Sequence, residues 1–307
     1  MYASLDVGTN TVRLLLGDVR DGVVEPRQYV RRITRLGGDF TPESGLSSAA
    51  MKRTLDALVE FSRVMDQVPL VGVSAVATEA LRRAVNAEEF VSRVAEESGL
   101  ALEVISGEFE AQLSCAGVLS ALSPQPEHLL IFDIGGGSTE FVYVVDGVPR
   151  FWRSYPLGTV MLCEHLPGAI AQQAHIDRTL RLLEEDLSQA GIVYPLPTKT
   201  LPVGTAGTVT TLAALDLEMD DYDWHRINNH QLDEISLRQL RARLEPLHPR
   251  EREALPGMEP GRGDLILPGL RIVESILDFC AATRLAVSDF GLLEGGLLRA
   301  AGGLRDR

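Results

Sequence analysis

Residues 129–148 read LLIFDIGGGSTEFVYVVDGV, and residues 2–24 read YASLDVGTNTVRLLLGDVRDGVV. Each is an apolar run closing on an aspartate, Asp133 or Asp6, followed by a turn of small and hydroxyl-bearing residues. A second apolar run then ends in Asp-Gly, a strong hairpin signal between strands. Each copy is therefore predicted to be three antiparallel strands with a polar first turn. The two aspartates lie 127 residues apart, too far for a solenoid repeat of about 20–50 residues, so the duplication implies two similar domains.

Outward from these copies, strand and helix patterns alternate, which indicates an α/β protein. The spacing predicts helices over 41–67, 79–98, 108–121, 172–190, 209–215, 236–247, 263–284 and 290–300. It predicts strands over 70–78 and 102–105, and a polar loop over 216–232. The turn-rich Ser123-Pro-Gln-Pro-Glu127 marks a boundary, giving domains 1–123 and 124–307, with the last helix packing back on the first. Gly295-Gly296 and the 123–127 linker are read as hinges.

The chain has 307 residues and a net charge of −14, which argues against broad binding to nucleic acid or anionic lipid. A pocket for an anion has to be local and built from arginine, because Lys52 and Lys199 are the only lysines. Cys115, Cys163 and Cys280 are odd in number and show no metal-ligand spacing, so neither disulfides nor zinc is indicated. No signal peptide and no membrane-spanning run is visible, and a cytoplasmic protein is expected.

The chemistry concentrates in three glycine turns. In the first two, backbone N–H groups around Gly8 and Gly135, Gly136 and Gly137 can point at phosphate oxygens. Thr9, Asn10, Thr11, Ser138 and Thr139 add side-chain donors. Asp6 and Asp133 can hold Mg²⁺ or another divalent cation, directly or through water, and Glu140 can join Asp133. The third turn, Val203-Gly-Thr-Ala-Gly-Thr208, with Gly204, Thr205 and Gly207, leads from a strand into a helix whose N-terminus suits an anion. It lacks a P-loop lysine. One such turn alone is ordinary hairpin chemistry. Two duplicated turns and a third favour phosphate. His225 and His230, five apart in a polar segment, do not read as metal ligands, Trp152 and Tyr155 read as packing residues, and Arg178 to Asp186 as an exposed helical face.

With these motifs in place, nearly the whole chain resembles the exopolyphosphatase / guanosine pentaphosphate phosphatase (Ppx/GppA) family, of the actin, sugar kinase and heat-shock chaperone ATPase superfamily. The resemblance rests on Asp6-Val-Gly-Thr-Asn-Thr11, Arg35-Leu-Gly37, Ala77-Thr-Glu-Ala-Leu-Arg82 with Asn86, and Ile105-Ser-Gly-Glu-Phe-Glu-Ala111. It continues through Asp133-Ile-Gly-Gly-Gly-Ser-Thr-Glu140, Gly204 to Thr208, Asn229-His-Gln-Leu232, Gly263-Asp264 and Glu294-Gly295. It implies two actin-like (ribonuclease H-like) domains with an interdomain cleft and Mg²⁺-dependent removal of the terminal phosphate of inorganic polyphosphate. Hydrolysis of the 5′ phosphate of pppGpp is the alternative. A phosphotransferase, including an ADP-dependent kinase, and a phosphate-sensing protein are further readings. A homodimer is implied by the resemblance alone. Glu110 matches the catalytic glutamate, with Glu108 second because Phe109 separates two acids that are adjacent in the family. Arg82 matches the phosphate-gripping arginine, and Arg35 a second one. Gly38 stands where an acid is common.

Overall fold

The structure, a computed structural model, describes residues 1–38, 45–166 and 168–303. The chain separates into two compact units, Met1–Ser120 with Gly291–Arg307, and Ala121–Phe290.

The first unit opens with β1 (Tyr2–Val7), β2 (Thr11–Arg20) and β3 (Val23–Ile33). It continues through α1 (Ser48–Met65), β4 (Gly72–Ala77), α2 (Glu79–Arg83), α3 (Ala87–Ser98), β5 (Glu103–Val104) and α4 (Gly107–Ala121). The sheet order is β3-β2-β1-β4-β5. β1 pairs antiparallel with β2 and parallel with β4, and β5 extends the parallel side. Asp21 and Gly22 both take left-handed φ, at 52° and 79°, so the β2–β3 turn matches strand twist. The core gathers Leu5, Leu14, Leu58, Phe61 and Phe90, all fully buried. Each such side chain contributes about 1.5–3 kcal/mol on leaving water.

The helix expected over 41–67 begins at Ser48, where the Ser47 hydroxyl accepts the Ala50 N–H and caps it. Residues 39–44 lie outside the described residues. The single helix expected over 79–98 is two, because Ala84 is extended and the Asn86 amide bonds both ways to the Leu46 backbone.

The second unit repeats the plan. It contains β6 (His128–Ile134), β7 (Thr139–Val145), β8 (Val148–Tyr155), α5 (Thr159–His165), α6 (Gly168–Gln189), β9 (Leu201–Thr205) and α7 (Ala206–Asp216). Next come α8 (Trp224–Ile227), β10 (Gln231–Asp233), α9 (Glu234–Leu244), α10 (Pro249–Arg252), α11 (Ile266–Phe279) and β11 (Arg284–Ser288). Read from β8, the order β8-β7-β6-β9-β11 matches that of the first sheet, with β10 added at the edge. Asp146 and Gly147 repeat the left-handed turn at 50° and 74°. The segment expected as one helix over 263–284 stops at Phe279, and β11 follows. Four of its five residues are buried, so it shows no alternation that periodicity can detect. The expected loop 216–232 contains α8 and the start of β10.

The chain ends in α12 (Leu292–Ala300), which packs on β1, β2 and β4 of the first unit. Gly295 and Gly296 lie inside this helix and are not a hinge. A Cβ on Gly295 would fall 1.9 Å from the Leu113 carbonyl oxygen, and one on Gly296 2.1 Å from Ser4 Oγ. They allow close packing. Among the described residues, no helix is long and apolar enough to cross a membrane.

Candidate active site

In each unit the singled-out residues gather at the carboxyl ends of parallel strands, where open α/β sheets bind ligands. In the first unit, Asp6 near the end of β1 is 3% exposed. Arg13 stands directly opposite it on β2 and donates from Nε at 2.9 Å and Nη2 at 2.6 Å, both to Oδ2. Asp6 Oδ1 is buried with no hydrogen-bond partner among the described residues. The turn closes through Gly8 N–H to the Thr11 carbonyl at 3.0 Å. The amides of Thr9 and Asn10 have no backbone acceptor among the described residues, while their carbonyls carry the Arg35 loop. Thr34 and Arg35 N–H bond Asn10 O, and Gly37 N–H bonds Thr9 O at 2.8 Å. Arg35 holds a left-handed φ of 49° and is exposed beside this turn.

β4 ends beside β1, with Thr78 N–H bonded to the Val7 carbonyl, and α2 starts at once. It carries Arg82, whose Nη1 donates to the Ile105 carbonyl at 3.0 Å and to Glu110 Oε2 at 2.7 Å. Glu110 lies in the first turn of α4, where the Ser106 hydroxyl accepts the Phe109 N–H. Arg82 and Glu110 side chains are each 28% exposed. Glu108 is exposed, and its side chain makes no hydrogen bond among the described residues. The fold thus separates two acids that are two residues apart.

In the second unit Asp133 faces Glu140 across the β6–β7 ladder, and Ser154 on β8 donates to Glu140 Oε1 at 2.5 Å. Glu140 stands where the first copy has Arg13, so one duplicated strand pair is acid–base and the other acid–acid. Gly135 N–H closes the turn on the Ser138 carbonyl at 2.9 Å. The Thr159 and Met161 amides of α5 bond the Gly135 and Gly136 carbonyls at 3.1 and 3.0 Å. The turn's carbonyls are therefore held from behind, and the amides of Gly136, Gly137 and Ser138 have no backbone acceptor among the described residues. The Thr139 hydroxyl is fully buried and donates to the Leu157 carbonyl.

The third turn enters α7. Gly204 packs between Phe132 and Val209, and the Thr205 hydroxyl donates to the Phe290 carbonyl at 3.2 Å. Ala206 holds a left-handed φ of 63°. Arg262, which the sequence reading passed over, lies against Gly207: a Cβ there would fall 1.9 Å from its Nη2. Its Nε pairs with Glu259 at 2.5 Å. Its signal was the neighbouring Gly263-Asp264, some fifty residues from the turn it covers. At the end of β11, burial raises the Asp289 carboxyl above its usual range, against the Tyr222 hydroxyl that donates to it. His230 bonds Asp216 at 2.7 Å. Asn229 donates to the Ala121 carbonyl and accepts the Ser123 N–H, at the start of the second unit.

Paired β-α sheets of the same order, with amide-lined turns at their strand ends and an arginine–glutamate pair beside one of them, define a phosphate-handling protein of actin-like fold. The chain belongs to the Ppx/GppA phosphatase family, whose pattern matches residues 18–302. It is 33% identical to Exopolyphosphatase 2 of Mycobacterium tuberculosis over 98% of both chains. A crystal structure of the Aquifex aeolicus Ppx/GppA family member superposes with a TM-score of 0.84 at 32% identity, covering 100% of this chain and 99% of that one. An exopolyphosphatase structure from Cytophaga hutchinsonii gives 0.81 at 26% identity, covering 99% and 98%.

Proposed function

We propose that the chain hydrolyses the terminal phosphoanhydride of inorganic polyphosphate and releases orthophosphate. The observation that carries this reading is the Arg82–Glu110 pair at the strand ends beside the Gly8 turn. Phosphoryl transfer needs positioning and charge neutralisation more than covalent chemistry. The amides of Gly136, Gly137 and Ser138, with those of Thr9 and Asn10, supply donors for phosphate oxygens. The α7 N-terminus and Arg262 supply a further set at Gly207. Arg35 adds an exposed guanidinium. The Thr139 and Thr205 hydroxyls already have carbonyl acceptors and serve the turns' shape.

In this reading Arg82 holds Glu110 until phosphoryl oxygens compete for its guanidinium. Glu110 then orients a water and takes its proton as the water oxygen attacks the terminal phosphorus. The bridging P–O bond breaks, leaving a polyphosphate one unit shorter. Asp133 and Glu140, facing each other across the β6–β7 ladder, are hard oxygen donors that fit a divalent cation such as Mg²⁺; in the first unit Asp6 Oδ1 is a buried oxygen with no hydrogen-bond partner among the described residues. When bound, the cation neutralises charge on the phosphate oxygens.

The test is orthophosphate release from long-chain polyphosphate and from pppGpp, side by side, with Mg²⁺ and with EDTA. Mg²⁺-dependent release from polyphosphate is expected. Release from pppGpp alone moves the substrate to the nucleotide, and release from neither overturns the hydrolase reading.

A further inference from the structure

A second cluster of arginines lies in the second unit, around a cavity of about 300 Å³ lined by Arg252, Arg271, Gln172, Cys163 and Asp264 among others. Arg252 is 7% exposed. Its Nε donates to the Leu244 carbonyl and its Nη1 to the Gly263 carbonyl, both at 2.9 Å. Its Nη2 has no acceptor among the described residues. Arg271 donates from Nη1 to Gln172 Oε1 at 2.9 Å. Neither arginine forms an ion pair with a carboxylate among the described residues. That is unusual, because a guanidinium buried to this extent ordinarily sits against a counter-charge. Burial and then the facing Arg271 pull the Arg252 guanidinium below its ordinary value, while Asp264 and Glu245 act the other way. The positive ends of two long helices open on the same cavity, α6 at Gly168 and Ala169 and α11 at Leu267 and Pro268. Asp264 is the one acid in the lining, so two arginines against it leave a single positive charge before the helix ends are counted.

We propose that this cavity is an anion subsite separate from the three glycine turns, taking a phosphate group on the Arg252 and Arg271 guanidiniums. Arginine forks match tetrahedral phosphate oxygens, and the lining carries two guanidiniums against one carboxylate. The group is either free orthophosphate or the end of a short polyphosphate. Its occupant is linked to the turns by short covalent and packing steps. Gly263, whose carbonyl holds Arg252, directly follows Arg262, which covers Gly207. On α11, a Cβ at Gly269 would meet Thr208 Cγ2 at 2.4 Å and Thr159 Cγ2 at 3.4 Å, which are residues of the helices behind the turns.

Cys163 supplies a local reporter. It lines the cavity and is half-buried, whereas Cys115 and Cys280 are 1% and 5% exposed. The experiment is iodoacetamide labelling read by mass spectrometry, with EDTA present so that nothing is hydrolysed. Alkaline pH is used because burial, with Asp264 and Glu164 nearby, pushes the Cys163 thiol up. Orthophosphate and tripolyphosphate are compared with chloride at equal ionic strength. Several-fold slower labelling of Cys163 with either phosphate is expected in the native protein, and whichever works identifies the source. The slowing should vanish in Arg271→Gln, return in part in Arg271→Lys and strengthen in Asp264→Asn. Labelling of Cys115 and Cys280 reports whether a variant is folded; if Arg271→Gln is not, the Asp264→Asn comparison decides. No slowing in the native protein, equal slowing in folded Arg271→Gln, or no strengthening in Asp264→Asn overturns the proposal. The readout is labelling and not turnover, so its failure leaves the hydrolase reading untouched.

Discussion

Asp6 and Asp133 occupy the same place in the two copies, yet the residue opposite each sets a different environment. Arg13 neutralises one oxygen of the buried Asp6, while Glu140 adds a second acid to Asp133. Removing Arg13 leaves a buried carboxylate without its countercharge, which costs about 3–5 kcal/mol in comparable cases. Arg13→Met is therefore expected to lower stability by that order, read as a shift in urea midpoint, while an Asp6→Asn, Arg13→Met double variant recovers part of it. A double variant no more stable than the single one contradicts the pairing argument. Legibility at this scale was uneven. The aspartates and glycine turns stood out because the duplication displayed each against the other. The roles of Arg82 and Glu110 came from resemblance alone, since an acid in a helix's first turn is unremarkable by itself. Arg262 was hidden because no local pattern links it to Gly207.

At the scale of elements, the second glycine turn depends on α5 behind it. A Cβ on Gly158 would lie 2.2 Å from the Gly136 carbonyl oxygen and 2.4 Å from the Gly137 nitrogen, both backbone atoms that cannot swing aside. Gly158→Ala is expected to cost about 1–3 kcal/mol and to raise KM for polyphosphate by displacing the turn. Gly137→Ala meets open space and should leave the melting temperature unchanged. Equal melting temperatures for the two variants contradict this. A second staple joins β8 to α6, where the Tyr155 hydroxyl donates to Asp186 at 2.6 Å and Arg153 pairs with it. The Tyr155 hydrogen bond, then Arg153, holds the Asp186 carboxyl below its ordinary value, against its burial. A carboxyl lowered on folding stabilises the protein above its unfolded pKa of about 3.9, and that contribution is lost as pH falls through the folded value. Urea unfolding across the acid range should show this loss, with a shallower acid limb in Asp186→Asn. An unchanged slope counts against the staple. Sequence periodicity found the long amphipathic helices but merged β11 into α11, because a strand buried on both faces has no alternation to read.

For the whole molecule, the two sheets share one strand order, and the chain leaves the first unit and returns to it as α12. The second unit is continuous in sequence, with its own core around Phe132, Phe141, Leu212 and Ile276. Residues 121–290 expressed alone are expected to unfold cooperatively by circular dichroism. A chain cut after Phe290 loses Leu297, which is fully buried, and the Gly295–Gly296 face, so its first unit should melt earlier than in the intact protein. Equal melting of that unit contradicts the role given to α12. The duplication was legible in the sequence because strand–turn–strand chemistry is local.

In the proposed mechanism Glu110, held by Arg82, carries the hydrolysis. The most direct measurement is orthophosphate release from long-chain polyphosphate by the native protein, Glu110→Gln and Glu108→Gln, with melting temperatures alongside. A fall of about 10²–10⁴-fold is expected in Glu110→Gln, with near-native melting, and an unchanged rate in Glu108→Gln. A native rate in Glu110→Gln, or an equal loss in Glu108→Gln, would contradict it.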